Sequence, residues 1–82
     1  MENQIAQKVK EILINKIGLE ESEVTTDANF TKDLGIDSLD YAELIMEFEQ
    51  AFDIKINDAD TEGLSTIGQF VEFIELRLNS EN

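Results

Sequence analysis

With 82 residues, 41% of them apolar, the chain has surface for one core and nothing left for a second, so a single domain over residues 1–82 is expected. The 19 Asp and Glu against 6 Lys and Arg leave a net charge of −13, which repels nucleic-acid phosphates and anionic lipid headgroups and points to basic partners. Cysteine and histidine are both absent, which removes disulfides, thiolate and imidazole metal sites, Ser-His and Cys-His nucleophile pairs and the usual general base near neutral pH; no catalytic residue and no metal site is assigned.

The first stretch, MENQIAQKVKEILINK, is periodic like a helix and lacks the regions of a signal peptide or the Arg/Ser bias of a transit peptide, and no run is long or apolar enough to enter a membrane. A soluble, cytoplasmic monomer is expected. Ile5, Val9, Ile12, Leu13 and Ile17 fall on one face of a first amphipathic helix, which Gly18 ends by reaching positive φ without strain. Residues 18–36 follow, rich in Ser, Thr, Asp and Asn with the apolar anchors Val24, Phe30 and Leu34. They read as a long structured loop with room for one short helical turn, and a loop of that length in a small domain suggests a role.

A second helix starts near Ser38, with Asp37 as N-cap and Asp40 in the first turn, and runs to about Ala51 or Phe52. Asn57 caps a short third helix over 58–62. Thr66 and Gln69 form a capping-box pair before a last helix carrying Ile67, Phe70, Val71, Ile74 and Leu78. With no strand alternation and no repeat, the expected fold is all-α: a four-helix bundle of three longer helices and one short helix III, with a long loop between the first two helices.

The second helix has two apolar faces. Tyr41, Leu44, Ile45, Phe48 and Phe52 make a sufficient core stripe, yet Leu39, Ala42 and Met46 lie roughly opposite, with Glu43 and Glu49 on the same side and Asp40 and Glu47 at its margin. Isolated exposed apolar residues are ordinary on protein surfaces. The alternative is a docking face, where the apolar strip adheres, the carboxylate rim steers a basic partner and the Met adapts its shape.

At the junction of loop and helix stands Asp33-Leu34-Gly35-Ile36-Asp37-Ser38-Leu39-Asp40. A lone serine in a first helical turn ordinarily caps or solvates the helix end. Here the unpaired N–H groups and positive dipole of the helix start also suit a phosphate ester, and Ser38 sits at the end of the proposed docking face. The run DLGIDSLD followed by YAELIMEFEQAFDIKI closely resembles the acyl carrier proteins of dissociated, type II fatty acid synthesis, and the likeness extends over nearly the whole chain, including the VTTDANF loop and the FVEFI segment. That resemblance implies that Ser38 receives 4′-phosphopantetheine from coenzyme A through a holo-acyl carrier protein synthase. The arm's thiol, which a chain without Cys must import, then carries growing fatty acyl chains as thioesters to fatty acid synthesis enzymes and acyltransferases with basic docking patches.

The resemblance further assigns Asp37, Leu39, Glu43, Met46 and Glu49 to partner recognition, and Asp40 and Glu47 join them from the helix spacing. It places Phe30, Leu44, Phe48, Ile56, Leu64, Phe70 and Val71 around an acyl cavity. Tyr41 stands where a small or β-branched residue is usual, Asn57 where proline is frequent, and Phe48 and Phe70 where smaller apolar residues are often found; these departures bear on which acyl chains the carrier handles, and the two phenylalanines are expected to limit their depth. Rival readings are a hydrolase using Ser38, which the missing His opposes, a carrier dedicated to another acyl or aminoacyl pathway, and an EF-hand over Asp58-Ala59-Asp60-Thr61-Glu62-Gly63. The last fails at its eighth and twelfth positions, where Ser65 and Gln69 replace the apolar residue and the bidentate carboxylate.

Overall fold

A computed structural model describes residues 4–80, except for the Ser80 side chain; Met1, Glu2 and Asn3 of the expected first helix, and Glu81 and Asn82 at the end of the expected domain, lie outside the described residues. Four α-helices follow in order, α1 (Gln4–Ile17), α2 (Ser38–Phe52), α3 (Asp58–Thr61) and α4 (Ile67–Ser80), with a 3-10 turn at Glu21–Glu23 inside the long loop. No strand forms among the described residues; Asn29 and Thr66 make a single antiparallel bridge. The all-α bundle with three longer helices and one short one is the architecture that the periodicity predicts.

Each helix ends where the local chemistry dictates. Gly18 adopts φ 85° and donates its N–H to the Ile14 carbonyl at 3.0 Å, closing α1. Thr66 and Gln69 exchange bonds at 3.2 Å each way, the reciprocal cap expected before α4. The third helix is one residue shorter than the expected 58–62, and its carboxylate at Asp60 accepts from the Asn57 N–H at 3.0 Å.

The core forms where α1 packs on α2 and α4. Val9 and Leu13 from α1, Leu44 and Phe48 from α2, and Phe70 and Ile74 from α4 are fully buried. Phe70 is the centre of an aromatic chain, with ring centroids 4.9 Å from Phe48, 5.8 Å from Phe30 and 6.0 Å from Phe73. Arg77 ties α3 to α4: its guanidinium donates to the Asp60 carboxylate at 3.1 Å and to the Lys55 carbonyl, and lies 5.1 Å from the centre of the Phe73 ring.

The long loop is stitched to the start of α4. Phe30 N–H donates to the Ser65 carbonyl, Ile67 N–H to the Ala28 carbonyl and Gly68 N–H to the Thr26 carbonyl, at 2.9 to 3.1 Å. Loop carbonyls thus satisfy N–H groups that a helix start leaves without partners. The approach requires a glycine, since a Cβ at residue 68 would stand 2.4 Å from Thr26 Cγ2 and 3.1 Å from the Thr26 carbonyl oxygen.

Candidate functional site

The polypeptide leading to α2 is held by bonds between near neighbours. Asn29 Oδ1 accepts from the Thr31 N–H, the Thr31 hydroxyl and the Lys32 N–H, all at 3.0 Å, while the Asn29 N–H donates to Asp33 Oδ2 at 2.7 Å. Gly35 turns the chain with φ 67°, and the Ile36 N–H returns to the Phe30 carbonyl at 2.9 Å. Ile36 is buried, which anchors the turn directly below the helix start.

Asp37 then acts as N-cap, its Oδ1 accepting from the Asp40 N–H at 2.8 Å. The capping role that a first-turn serine ordinarily takes is therefore filled by its neighbour. Ser38 is exposed, and its hydroxyl has no hydrogen-bond partner among the described residues. An exposed hydroxyl beside the unpaired first N–H groups of a helix suits a phosphodiester, whose oxygens those groups and the helix dipole attract.

Two grooves open at Ser38. One, of about 600 Å³, has Phe30, Ile36, Tyr41 and Leu64 as apolar walls and Asn29, Thr31, Lys32 and Ser65 along its polar rim. The other, of about 500 Å³, runs along α2 past Ala42, Ile45 and Met46 to Ile56, with Glu49 and Asp58 at its margin. Ser38, Tyr41 and Thr61 line both. The Tyr41 ring meets Phe30 edge-on at 5.5 Å, and its hydroxyl is buried. Burial pushes the Tyr41 phenol above its ordinary range; the neighbouring Thr61 hydroxyl tempers the shift, yet no hydrogen bond of ordinary geometry joins the two.

The seven residues expected around one acyl cavity are dispersed. Phe30 and Leu64 line the first groove and Ile56 the second. Leu44, Phe48 and Phe70 are close-packed in the core and border neither groove, and Val71 borders a separate recess beside Thr26 and Gly68. Phenylalanines at 48 and 70 fill the centre of the bundle, so the open space lies nearer the surface, around Tyr41. The sequence places Tyr41 in the core stripe of α2 and marks it as a departure that bears on acyl choice, but singles out neither Ile36 nor Thr61. A further signal is that this tyrosine, apolar in body and polar at its tip, shares a helical face with the serine three residues before it.

The outer face of α2 is uneven. Leu39 and Met46 are 68% and 58% exposed, and Ala42 and Glu43 are exposed between them. Asp40 is half-buried. Glu47 turns toward α1, where its carboxylate lies 3.2 Å from Lys16 Nζ. Glu49 accepts the Ile56 N–H at 2.8 Å and so joins the end of α2 to the segment before α3. In the stretch that resembled a calcium loop, residues 58–61 are helical and the Asp60 carboxylate is engaged by Asn57 and Arg77.

A family profile described as a phosphopantetheine attachment site matches residues 7–74. An acyl carrier protein of Thermotoga maritima is 48% identical over 75 residues, covering 92% of this chain and 93% of that protein. Another, from Amoebophilus asiaticus, is 49% identical over 76 residues, covering 93% of this chain and 95% of its own length.

Proposed function

This chain belongs to the phosphopantetheine-attachment family of acyl carrier proteins, and from that premise we propose that it carries growing fatty acyl chains on a 4′-phosphopantetheine arm joined to Ser38 and presents them to the enzymes of fatty acid biosynthesis. The observation that supports Ser38 most directly is its freedom: it is exposed at the start of α2, and Asp37 caps the helix in its place.

The arm supplies a thiol, which a chain without cysteine lacks, and its phosphate fits the helix start on charge and on unpaired donors. The protein's own part is to present the hydroxyl on a turn locked by Asn29 and Asp33, and to offer apolar walls beside it. With neither histidine nor cysteine, the sequence offers Ser38 no Ser-His pair, and in this reading other enzymes act on the carrier.

Partners, including a holo-acyl carrier protein synthase and acyltransferases, dock in this reading on Leu39, Glu43 and Met46, with Asp37 and Asp40 at the serine end. A basic patch is the complement of a chain with a charge of −13. The whole chain acts as one carrier domain in the cytoplasm; no helix among the described residues is long and apolar enough to cross a membrane.

Co-expression with a carrier protein synthase, followed by intact-mass measurement, tests the assignment. The wild type gains one phosphopantetheine increment. Ser38→Ala folds as before, because the cap is Asp37, and gains none; an increment that persists in that variant refutes Ser38 as the attachment site.

A further inference from the structure

We propose that Tyr41 is the residue that sets which acyl groups this carrier shelters: it forms the partition between the two grooves at Ser38, so that short chains lie within one groove and long chains require the partition to open. The inference rests on Ser38 as the attachment site.

The geometry gives Tyr41 this position. It follows Ser38 by three residues on the same helical face, so cargo returning toward a tether on Ser38 meets its ring first. Tyr41 and Thr61 are, with Ser38, the residues that line both grooves. Inward, Leu44, Phe48 and Phe70 are packed to 1% exposure or less, so entry there would have to part close-packed side chains. A chain that outgrows one groove without parting them must pass the tyrosine or extend into water, where each exposed CH₂ forgoes about 0.8 kcal/mol of burial. The walls on both sides, Phe30, Ile36 and Leu64 against Ile45 and Ile56, suit hydrocarbon.

The partition is also poised to move. The Tyr41 hydroxyl is buried without a hydrogen bond, a state that native proteins seldom tolerate, and opening would return it to water. Opposite it, the Thr61 hydroxyl donates to the Asp58 carbonyl at 3.0 Å. Thr61 ends α3, a helix of four residues fastened to the bundle by the Asp60–Arg77 pair. A small outward shift of α3 joins the two grooves into one channel.

The test loads the full chain with butyryl-, octanoyl- and dodecanoyl-phosphopantetheine and follows thioester cleavage by hydroxylamine. Tyr41→Val should protect the dodecanoyl thioester more than wild type does, by up to about fourfold for each methylene newly sheltered, so that the ratio of dodecanoyl to butyryl protection rises above the wild-type ratio. Tyr41→Phe keeps the ring and removes the unpaired hydroxyl, so the partition closes more firmly and dodecanoyl protection falls below wild type. Because Tyr41 is the chain's single tyrosine and tryptophan is absent, its emission reads the partition in the unmutated protein. Iodide should quench that emission more in the dodecanoyl form than in the butyryl form. Identical chain-length dependence in wild type and a folded Tyr41→Val overturns the proposal, and quenching independent of cargo in the unmutated protein overturns it whether or not Tyr41→Val folds. Loading is read separately by mass; a chain that accepts no arm overturns the Ser38 assignment and with it the premise for Tyr41.

Discussion

Glu49→Ala should destabilise the fold although the resemblance assigns the residue to partner recognition. The carboxylate of Glu49 accepts the N–H of Ile56, a residue only 6% exposed, at 2.8 Å. Removing the acceptor leaves that N–H buried and unpaired, at a cost of about 1–3 kcal/mol, so a central expectation is about 2 kcal/mol. For a domain of this size each kcal/mol moves the melting temperature by about 4–8 °C, which gives a fall of roughly 8–16 °C. Glu43→Ala is the matched control. It removes the same charge from a chain of −13, relieving the same kind of self-repulsion, but Glu43 is exposed and its loss should change stability by no more than about 0.5 kcal/mol. Glu49→Gln retains an amide oxygen and should recover part of the loss. Thermal melts followed by far-UV circular dichroism at one fixed salt concentration distinguish the three. If Glu49→Ala melts with Glu43→Ala, the bond to Ile56 contributes nothing, and weakened partner binding in a Glu49 variant can be read as a lost contact instead of a loosened α2–α3 corner.

Gly68→Ala should lose about 1–3 kcal/mol through overpacking against Thr26, and Thr26→Ser in the same chain should restore part of it by removing the Cγ2 contact at 2.4 Å; additive effects in a double-mutant cycle of melting temperatures would refute the stitch. The Asn57 N–H, and after it the Arg77 guanidinium, hold the Asp60 carboxyl below its ordinary value of 3.8, so its stabilising contribution is complete above that value and disappears as pH falls through the lower folded one. The stability difference between wild type and Asp60→Asn should accordingly be flat from neutral pH down to about 5 and shrink below about 4; a difference that grows on acidification contradicts the pairing. Salt or millimolar magnesium should raise the wild-type melting temperature by screening its carboxylates, while salt weakens docking on the Glu43 side of α2. Melting temperatures and synthase affinities that ignore ionic strength would argue against both.

Boundaries set by near neighbours were legible in the sequence. Gly18 closes α1, Asp37 caps α2, and the Thr66–Gln69 pair opens α4 because each uses chemistry within a few residues. Helical spacing likewise put Leu39 and Met46 on one exposed side of α2. It could not tell that Glu47 faces Lys16 or that Glu49 faces the Ile56 N–H, since a period assigns a side chain to a face and says nothing of what stands opposite. The loop's attachment to α4 was invisible for the same reason: Thr26 and Gly68 meet only after the bundle has formed. The cavity was the least legible feature. Leu44, Phe48 and Phe70 are apolar, as a cavity lining would be, but open space depends on how rings of fixed volume interlock, and here all three are packed to 1% exposure or less and border neither groove at Ser38.

The turn before α2 has a kinetic consequence. The side-chain bonds of Asn29, Asp33 and Asp37 in it join residues two to four apart, so it can take shape with almost no loop-closure entropy, ahead of helix docking. The apolar grooves, by contrast, depend on α3 and on the loop–α4 stitch, which close long loops and form late. Folding order and mechanical order then coincide. If α3 shifts outward to release cargo as proposed, the bonds of Asn29, Asp33 and Asp37 do not run through α3, so the tether at Ser38 keeps its footing on the turn while the shelter beside it opens.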